Sequence, residues 1–316
     1  MLRMLNLIRN ENMKTFRRIS TLVMIGVLIM FVGGIALKTK VESYTEEKGD
    51  WKAGLLEENK AYKGIQSQPG IAKSLKDQYE KMIRLNDYRI EHDIPPLESG
   101  SLWGFVDSQK NTVVIISLFI IIIGGSAVAN EFSSGTIKLL LIRPNMRWKV
   151  LLSKYLSTMF SALLMLITLF VSSFLIGSVF FGFQGISQPY LAYSNGVVRE
   201  TNMVLSLLGR YGFSCVDMLM MVTFSFMIST VFRSNALAIG LSVFLMLVGN
   251  SVVGILSRYD WVKYILFANT DLSQYTDGVP MVKGMTMTFS IIVLAVYFVV
   301  FNLISWTTFI KRDVAA

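Results

Sequence analysis

The stretch VVIISLFIIII, residues 113–123, decides the fold. It belongs to an uncharged stretch over residues 112–129 that holds only small and apolar side chains apart from three hydroxyl groups. A bilayer core about 30 Å thick is crossed by a helix of roughly 17–25 mostly apolar residues. This part of the chain therefore predicts a membrane-spanning helix.

Five further stretches have the length and composition of a span. They are residues 19–37, 155–183, 203–232, 236–256 and 287–310. The whole chain agrees with this assignment, because 53% of its 316 residues are apolar and 16% are charged, whereas a soluble domain carries about 25% charged residues. The sequence predicts an all-α membrane protein with six transmembrane helices, with outer segments at 184–202 and 257–286.

The basic residues predict how these spans are oriented. Lys and Arg are enriched in the cytoplasmic segments of membrane proteins. One side of the predicted membrane carries residues 1–18, residues 130–154, Arg233 and the tail 311–316, where basic residues far outnumber Glu11, Glu131 and Asp313. The other side is balanced in charge. We therefore expect both termini in the cytoplasm, and the net charge of +9 needs no nucleic acid as partner.

Two segments outside the spans have helical patterns of their own. In residues 1–18, apolar and basic side chains separate onto opposite helix faces, which predicts an interfacial helix on the lipid headgroups; a cytoplasmic tail without fixed structure is the alternative. Residues 38–111 have a soluble composition, and helical patterns at 44–62 and 71–92 flank a Pro-Gly turn. They predict an external helical hairpin between spans one and two.

The segment 130–154, NEFSSGTIKLLLIRPNMRWKVLLSK, predicts a short cytoplasmic helix. Ser133 or Ser134 is a suitable N-cap, the leucines that follow form one apolar face, and Pro144 ends the helix because the residue before a proline avoids the helical region. Two interpretations are open. The helix docks a partner protein, or it only connects two spans.

The same segment carries a resemblance to a known family. It reads Glu131-x-x-x-Gly135-Thr136, then Leu139-Leu140, then Pro144-x-x-Arg147. This pattern, together with the order of the predicted elements along the whole chain, resembles the permease subunits of type-2 ATP-binding-cassette (ABC-2-type) exporters. The long insert after span one and the late segment WVKYILFANTDLSQYTDG are similar to permeases of Gram-positive bacteria that pair with bacitracin-resistance-like ATPases.

The resemblance implies a function and partners. Such a chain is the transmembrane permease subunit of an exporter in the bacterial cell membrane, moving a hydrophobic or amphipathic peptide, drug or lipid outward. It pairs with a second permease subunit, identical or different, and with two cytoplasmic ATPase subunits that bind ATP and Mg²⁺. The coupling helix that docks on the ATPase would span residues 132–141. The docking residues implied are Glu131, Phe132, Gly135, Thr136 and Leu140.

The chain itself lacks the residues for nucleotide chemistry. A phosphate-binding loop needs closely spaced glycines followed by Lys and Ser or Thr, and the glycine pairs Gly33-Gly34 and Gly124-Gly125 lie inside spans without that lysine. Cys215 and His92 are single residues of their type, too few for a zinc site of Cys and His ligands. We therefore expect no enzyme activity and no cofactor bound by this chain.

Asp217 is the one acidic residue inside a predicted span. An ionised carboxylate at the bilayer centre costs about 2.5–3.5 kcal/mol on insertion scales, so such residues usually mark a transport pathway or an ion pair. Arg210 lies seven residues earlier, about two turns away on the same helix face. Both interpretations are open: a functional pathway, or a structural Arg210–Asp217 pair near the outer interface.

Two other functions fit the six-span pattern. The first is a sensor or immunity module whose external hairpin binds a peptide or lipid ligand without net transport. The second is a secondary transporter driven by an ion gradient. That class is expected to show broken helices and more ionisable groups inside the membrane than Asp217 alone.

Overall fold

Six helices in the described part of the chain are long and apolar enough to cross a membrane, which confirms the predicted all-α, six-span class. The computed structural model describes residues 2–45, 49–68, 73–136, 146–183, 185–194, 196–276, 280–282 and 284–311. The long helices are α2 (Ile19–Thr45), α6 (Val113–Ser133), α7 (Arg147–Phe181), α8 (Met203–Phe232), α9 (Asn235–Leu256) and α11 (Met287–Lys311). The shorter ones are α1 (Leu2–Phe16), α3 (Trp51–Gln66), α4 (Lys73–Glu91), α5 (Leu102–Ser108) and α10 (Leu266–Asn269).

Several helices extend beyond the predicted spans. Helix α2 continues eight residues past Leu37, and α7 begins at Arg147 instead of Tyr155. The added turns are rich in Lys, Glu, Arg and Leu, which are good helix formers, so the helix persists where the apolar run has ended. Apolar length predicts which residues cross the membrane but not where the helix stops.

The end of α6 corrects one expectation. Phe132 lies in the last turn of α6 and does not begin a new helix. Ser134 follows as the C-cap, with its backbone N–H and its hydroxyl both donating to the Asn130 carbonyl. It does not act as the predicted N-cap, because Gly135 with φ +70° turns the chain out of the helix. Residues 137–145, which hold Leu140 and half of the predicted coupling helix, lie outside the described residues.

Helices α6 and α8 form the centre of the bundle, and small residues allow their close approach. Gly124 lies against Val222, and a β carbon at Gly125 would come within 2.9 Å of the Ser225 hydroxyl. That hydroxyl donates to the Ile121 carbonyl across the interface at 3.0 Å. Small residues and hydrogen bonds of this kind drive helix association in membranes, where apolar burial contributes little.

Helices α3 and α4 pack side by side through a mostly polar contact. Asn59 donates to the Asp87 carboxylate at 2.8 Å, and Asn86 donates to Asn59 at 3.0 Å. The rings of Tyr62 and Tyr79 stack at 5.4 Å. Helix α3 starts later than the predicted residue 44, because α2 occupies the chain as far as Thr45.

The segment 184–202 contains a β-hairpin that the sequence analysis did not anticipate. Strands β1 (Tyr190–Ser194) and β2 (Val197–Thr201) pair antiparallel, with Ser194 opposite Val197. A signal was present in the sequence, since Asn-Gly between two short apolar runs favours a two-residue hairpin turn, and Gly196 has φ +81°.

The segment between α9 and α11 contains short helical turns at Asp260–Tyr264, Leu266–Asn269 and Leu272–Tyr275. Within it, Leu266, Ala268, Asn269 and Gln274 are buried against the bundle.

Candidate functional site

Four charged side chains meet where the predicted cytoplasmic loop leaves the bundle. Lys154 donates to Glu11 at 3.0 Å and to Glu131 at 2.9 Å, and Lys14 donates to the same two carboxylates at 3.0 and 3.2 Å. We call these residues the charge cluster. The Lys154 side chain is 3% exposed and each glutamate side chain is 14% exposed. Three of the four side chains are therefore largely withdrawn from water, which reduces the screening of their ion pairs, while Lys14 is 40% exposed.

The cluster joins three helices and the start of the loop. Glu11 and Lys14 come from α1, Glu131 from the last turn of α6, and Lys154 from the second turn of α7. The Thr136 hydroxyl, just beyond α6, also donates to the Glu131 carboxylate. Nearby, the Ser157 hydroxyl of α7 donates to the Asn12 side chain of α1 at 2.6 Å, so α1 is fixed to the bundle by buried polar contacts.

The electrostatics of the cluster agree with its geometry. Burial acts to lower the pKa of the Lys14 amine, but the charges and hydrogen bonds of Glu11 and Glu131 outweigh it and raise that pKa. A cavity of about 280 Å³ lies beside the cluster and is also lined by Arg18 and Asn130. The arrangement can hold three chain segments in a fixed geometry.

The structure separates the residues predicted to dock an ATPase. Glu131 points into the charge cluster, where it contacts Lys154 and Thr136. The Phe132 ring packs under the guanidinium of Arg233, 4.2 Å from the ring centroid. Gly135 is open on the side where a β carbon would be. Leu140 lies outside the described residues.

Sequence reasoning missed Glu11, Lys14 and Lys154 as partners of Glu131. A signal was available, since Glu11 and Glu131 are two of the few acidic residues in the segments predicted to face the cytoplasm. An acid retained among many basic residues is a candidate for a buried pair, because charged residues are seldom buried unless paired.

At the opposite end of the bundle, Arg210 and Asp217 do not pair with each other. Arg210 Nη1 lies 3.2 Å from Asp107 Oδ1, and Lys110 Nζ lies 3.2 Å from Asp107 Oδ2. Among the ion pairs of the described residues, Arg210 therefore pairs with Asp107, at the end of α5, and the Arg210–Asp217 pair that the sequence left open does not occur. Asp217 instead faces the Thr270 side chain.

Arg210 and Asp217 nevertheless line one cavity of about 260 Å³. Lys110, Asn250 and Asp271 also contribute polar groups to its wall. Within the part of the chain that the structure describes, no group of three or more His, Cys, Asp or Glu side chains is placed to hold a metal ion.

Known proteins place the chain in a family. It is 46% identical over 316 residues to the "Uncharacterized protein YhcI" of Bacillus subtilis (strain 168), covering 99% of this chain and 100% of that protein. It is 28% identical over 214 residues to the "Uncharacterized membrane protein YdbK" of the same organism, covering 67% of this chain and 82% of that protein. A family model described as "Protein of unknown function (DUF2705)" matches residues 79–315, starting within α4. The chain belongs to the DUF2705 family.

Proposed function

We propose that this chain is the membrane-spanning permease subunit of an ATP-driven exporter. Two cytoplasmic ATPase subunits would bind ATP and Mg²⁺, and a second permease subunit would complete the complex. The sequence pattern of residues 131–147 supports this function. The observation that carries it is the charge cluster, because it connects the base of the predicted coupling loop to three separate helices.

The cluster suits the transfer of movement from the loop into the membrane. The loop leaves α6 immediately after Glu131 and enters α7 shortly before Lys154, and these two side chains are in direct contact at 2.9 Å. A displacement of the loop by a partner would therefore act on α6 and α7 together. It would also act on α1 through Glu11 and Lys14. In this role Glu131 positions the loop, while the contacts with the ATPase come from residues further along it.

The docking proposal is tested by purifying the tagged chain in mild detergent from its own membranes and identifying the bound proteins by mass spectrometry. A stoichiometric ATPase with a phosphate-binding loop is expected. Leu140→Glu should reduce its recovery roughly tenfold, because a charge on an apolar docking face removes at least about 1.4 kcal/mol of binding. The matched control is Leu75→Glu, an exposed apolar position on α4, which should leave recovery unchanged.

Two results of this experiment would count against the proposal. Absence of any ATPase from the wild-type complex, under conditions that preserve other membrane complexes, would reject an ATP-driven exporter. Equal recovery with Leu140→Glu and the wild-type chain would reject docking through this loop.

The proposed orientation places both termini and the charge cluster in the cytoplasm and α3 and α4 outside. In a Cys215→Ala background, a cysteine at the exposed position Glu57 in α3 should react with an impermeant thiol reagent in intact cells. A cysteine at the exposed position Ser133 should react only after the membrane is opened. Cys215 is removed first since it is the single native thiol. The reverse labelling pattern would show that the chain has the opposite orientation in the membrane.

A further inference from the structure

A third cavity, of about 320 Å³, lies between α4, α5, the β-hairpin and the start of α8. This volume is at the lower end of the range of about 300–1,000 Å³ typical of small-molecule sites. The charged residues in its wall are Arg89, Asp107 and Arg210. Two guanidinium groups thus share the cavity with one carboxylate.

The single carboxylate is already occupied by other cations. Asp107 contacts Arg210 through one oxygen and Lys110 through the other, each at 3.2 Å. Arg89 has no acidic side chain within ion-pair distance among the described residues, and its Nη1 donates to the Pro95 carbonyl at 3.0 Å. The cavity therefore has an excess of positive charge, and Arg89 supplies it.

The surroundings of Arg89 are consistent with a missing counter-charge. Burial lowers the pKa of the Arg89 guanidinium, and the neighbouring Tyr190 offsets this only in part. A half-buried cation is costly unless an anion pairs with it. Guanidinium groups bind phosphate and carboxylate oxygens through two parallel hydrogen bonds, so two arginines in one cavity match an oxyanion.

The rest of the wall is suited to an amphiphile. Leu85, Leu97, Leu191 and Met203 give it an apolar part. We propose that this cavity binds the phosphate group of an anionic amphiphile, with Arg89 and Arg210 as its ligands. The proposal does not depend on whether the chain works with an ATPase.

The test uses calorimetric titration of the full-length chain in detergent with three probes. These are short-chain phosphatidylglycerol, short-chain phosphatidylcholine and inorganic phosphate. Phosphatidylglycerol should bind at least tenfold more tightly than phosphatidylcholine, whose headgroup carries no net charge. Inorganic phosphate distinguishes the source: if it binds and displaces the lipid, the site takes the free anion, and if it does not, the site needs the lipid.

Variants tie the binding to this cavity. Arg89→Gln should weaken phosphatidylglycerol binding roughly tenfold to hundredfold, the usual effect of losing hydrogen bonds to a charged group. Arg89→Lys keeps the charge but cannot form two parallel hydrogen bonds. Its affinity for phosphatidylglycerol should lie between those of the wild-type chain and Arg89→Gln, and this variant also controls for folding. Arg84→Gln removes an exposed arginine from the same helix, where its partner is Glu80 at 3.7 Å, and should change nothing.

Three outcomes would overturn the proposal. They are equal binding of the charged and zwitterionic lipids, binding that is unaffected by Arg89→Gln, and the absence of binding by every probe.

Discussion

Replacing Lys154 by methionine should destabilise the protein by about 3–5 kcal/mol, the usual cost of removing one partner from a buried ion pair. The Lys154 side chain is 3% exposed and contacts both Glu11 and Glu131. Without it, two partly buried carboxylates share Lys14 as their remaining cation, and that side chain is 40% exposed. The expected result is a large drop in the free energy of unfolding, measured by chemical denaturation of the detergent-solubilised chain.

Two controls separate loss of the ion pair from loss of any lysine. Lys149→Met removes a cation from the same helix, where it lies 5.4 Å from the ring centroid of its neighbour Trp148. It should change stability by no more than about 0.5 kcal/mol. The double variant Lys154→Met with Glu131→Gln should regain part of the loss, because it removes the unpaired charge as well. A single variant as stable as the wild-type chain would show that the cluster contributes no stability.

Replacing Gly104 by alanine should also be damaging, with a loss of about 2–4 kcal/mol in the free energy of unfolding. A β carbon at this position would overlap the backbone carbonyl of Glu98. That carbonyl accepts a hydrogen bond from the Ser101 hydroxyl at 2.7 Å, and the same hydroxyl caps α5 by accepting from Gly104 N at 3.1 Å. Relief of the overlap therefore requires the cap to break. Overpacking usually costs about 1–3 kcal/mol, and loss of the cap adds about 1 kcal/mol.

The matched control is a glycine-to-alanine change that should stabilise the chain. Gly54 lies within α3, and a β carbon there would contact nothing within 4 Å. Gly54→Ala should stabilise the chain by about 0.5–1 kcal/mol, because alanine loses less backbone freedom than glycine in a helix. Thermal unfolding of both variants in the same detergent gives the comparison. Equal stability of Gly104→Ala and the wild-type chain would mean that the 98–104 turn adjusts freely.

The six spans were predictable because each depends on one local property, a run of about 20 apolar residues. The charge cluster was not, because its contacts join residues as far apart in sequence as Glu11 and Lys154. The pairing of Arg210 with Asp107 instead of Asp217 could not be predicted for the same reason. A spacing of seven residues places two side chains on one helix face, but it does not show which other segment approaches that face.

The β-hairpin was missed and the helix ends were wrongly predicted for different reasons. The two strands have five residues each, so their alternation is weak beside the long apolar runs that dominate this sequence. The true end of α6 depends on Gly135 adopting a positive φ, whereas the serines before it are equally suited to begin a helix. Local preferences alone were compatible with a helix that begins at these serines and with a helix that ends there. The surrounding contacts select the second.

The contacts at the two ends of the molecule hold different sets of helices. The charge cluster holds α1, α6 and α7 together. At the other end, two residues of α4 contact segments that lead into other spans: Tyr88 donates to Glu200, ahead of α8, and Lys81 donates to the Thr276 carbonyl, ahead of α11. The two sets meet where α6 packs on α8, along Gly124, Gly125 and Ser225. Close packing and the Ser225–Ile121 hydrogen bond hold this interface together. A displacement of one set of helices is therefore passed to the other through this interface.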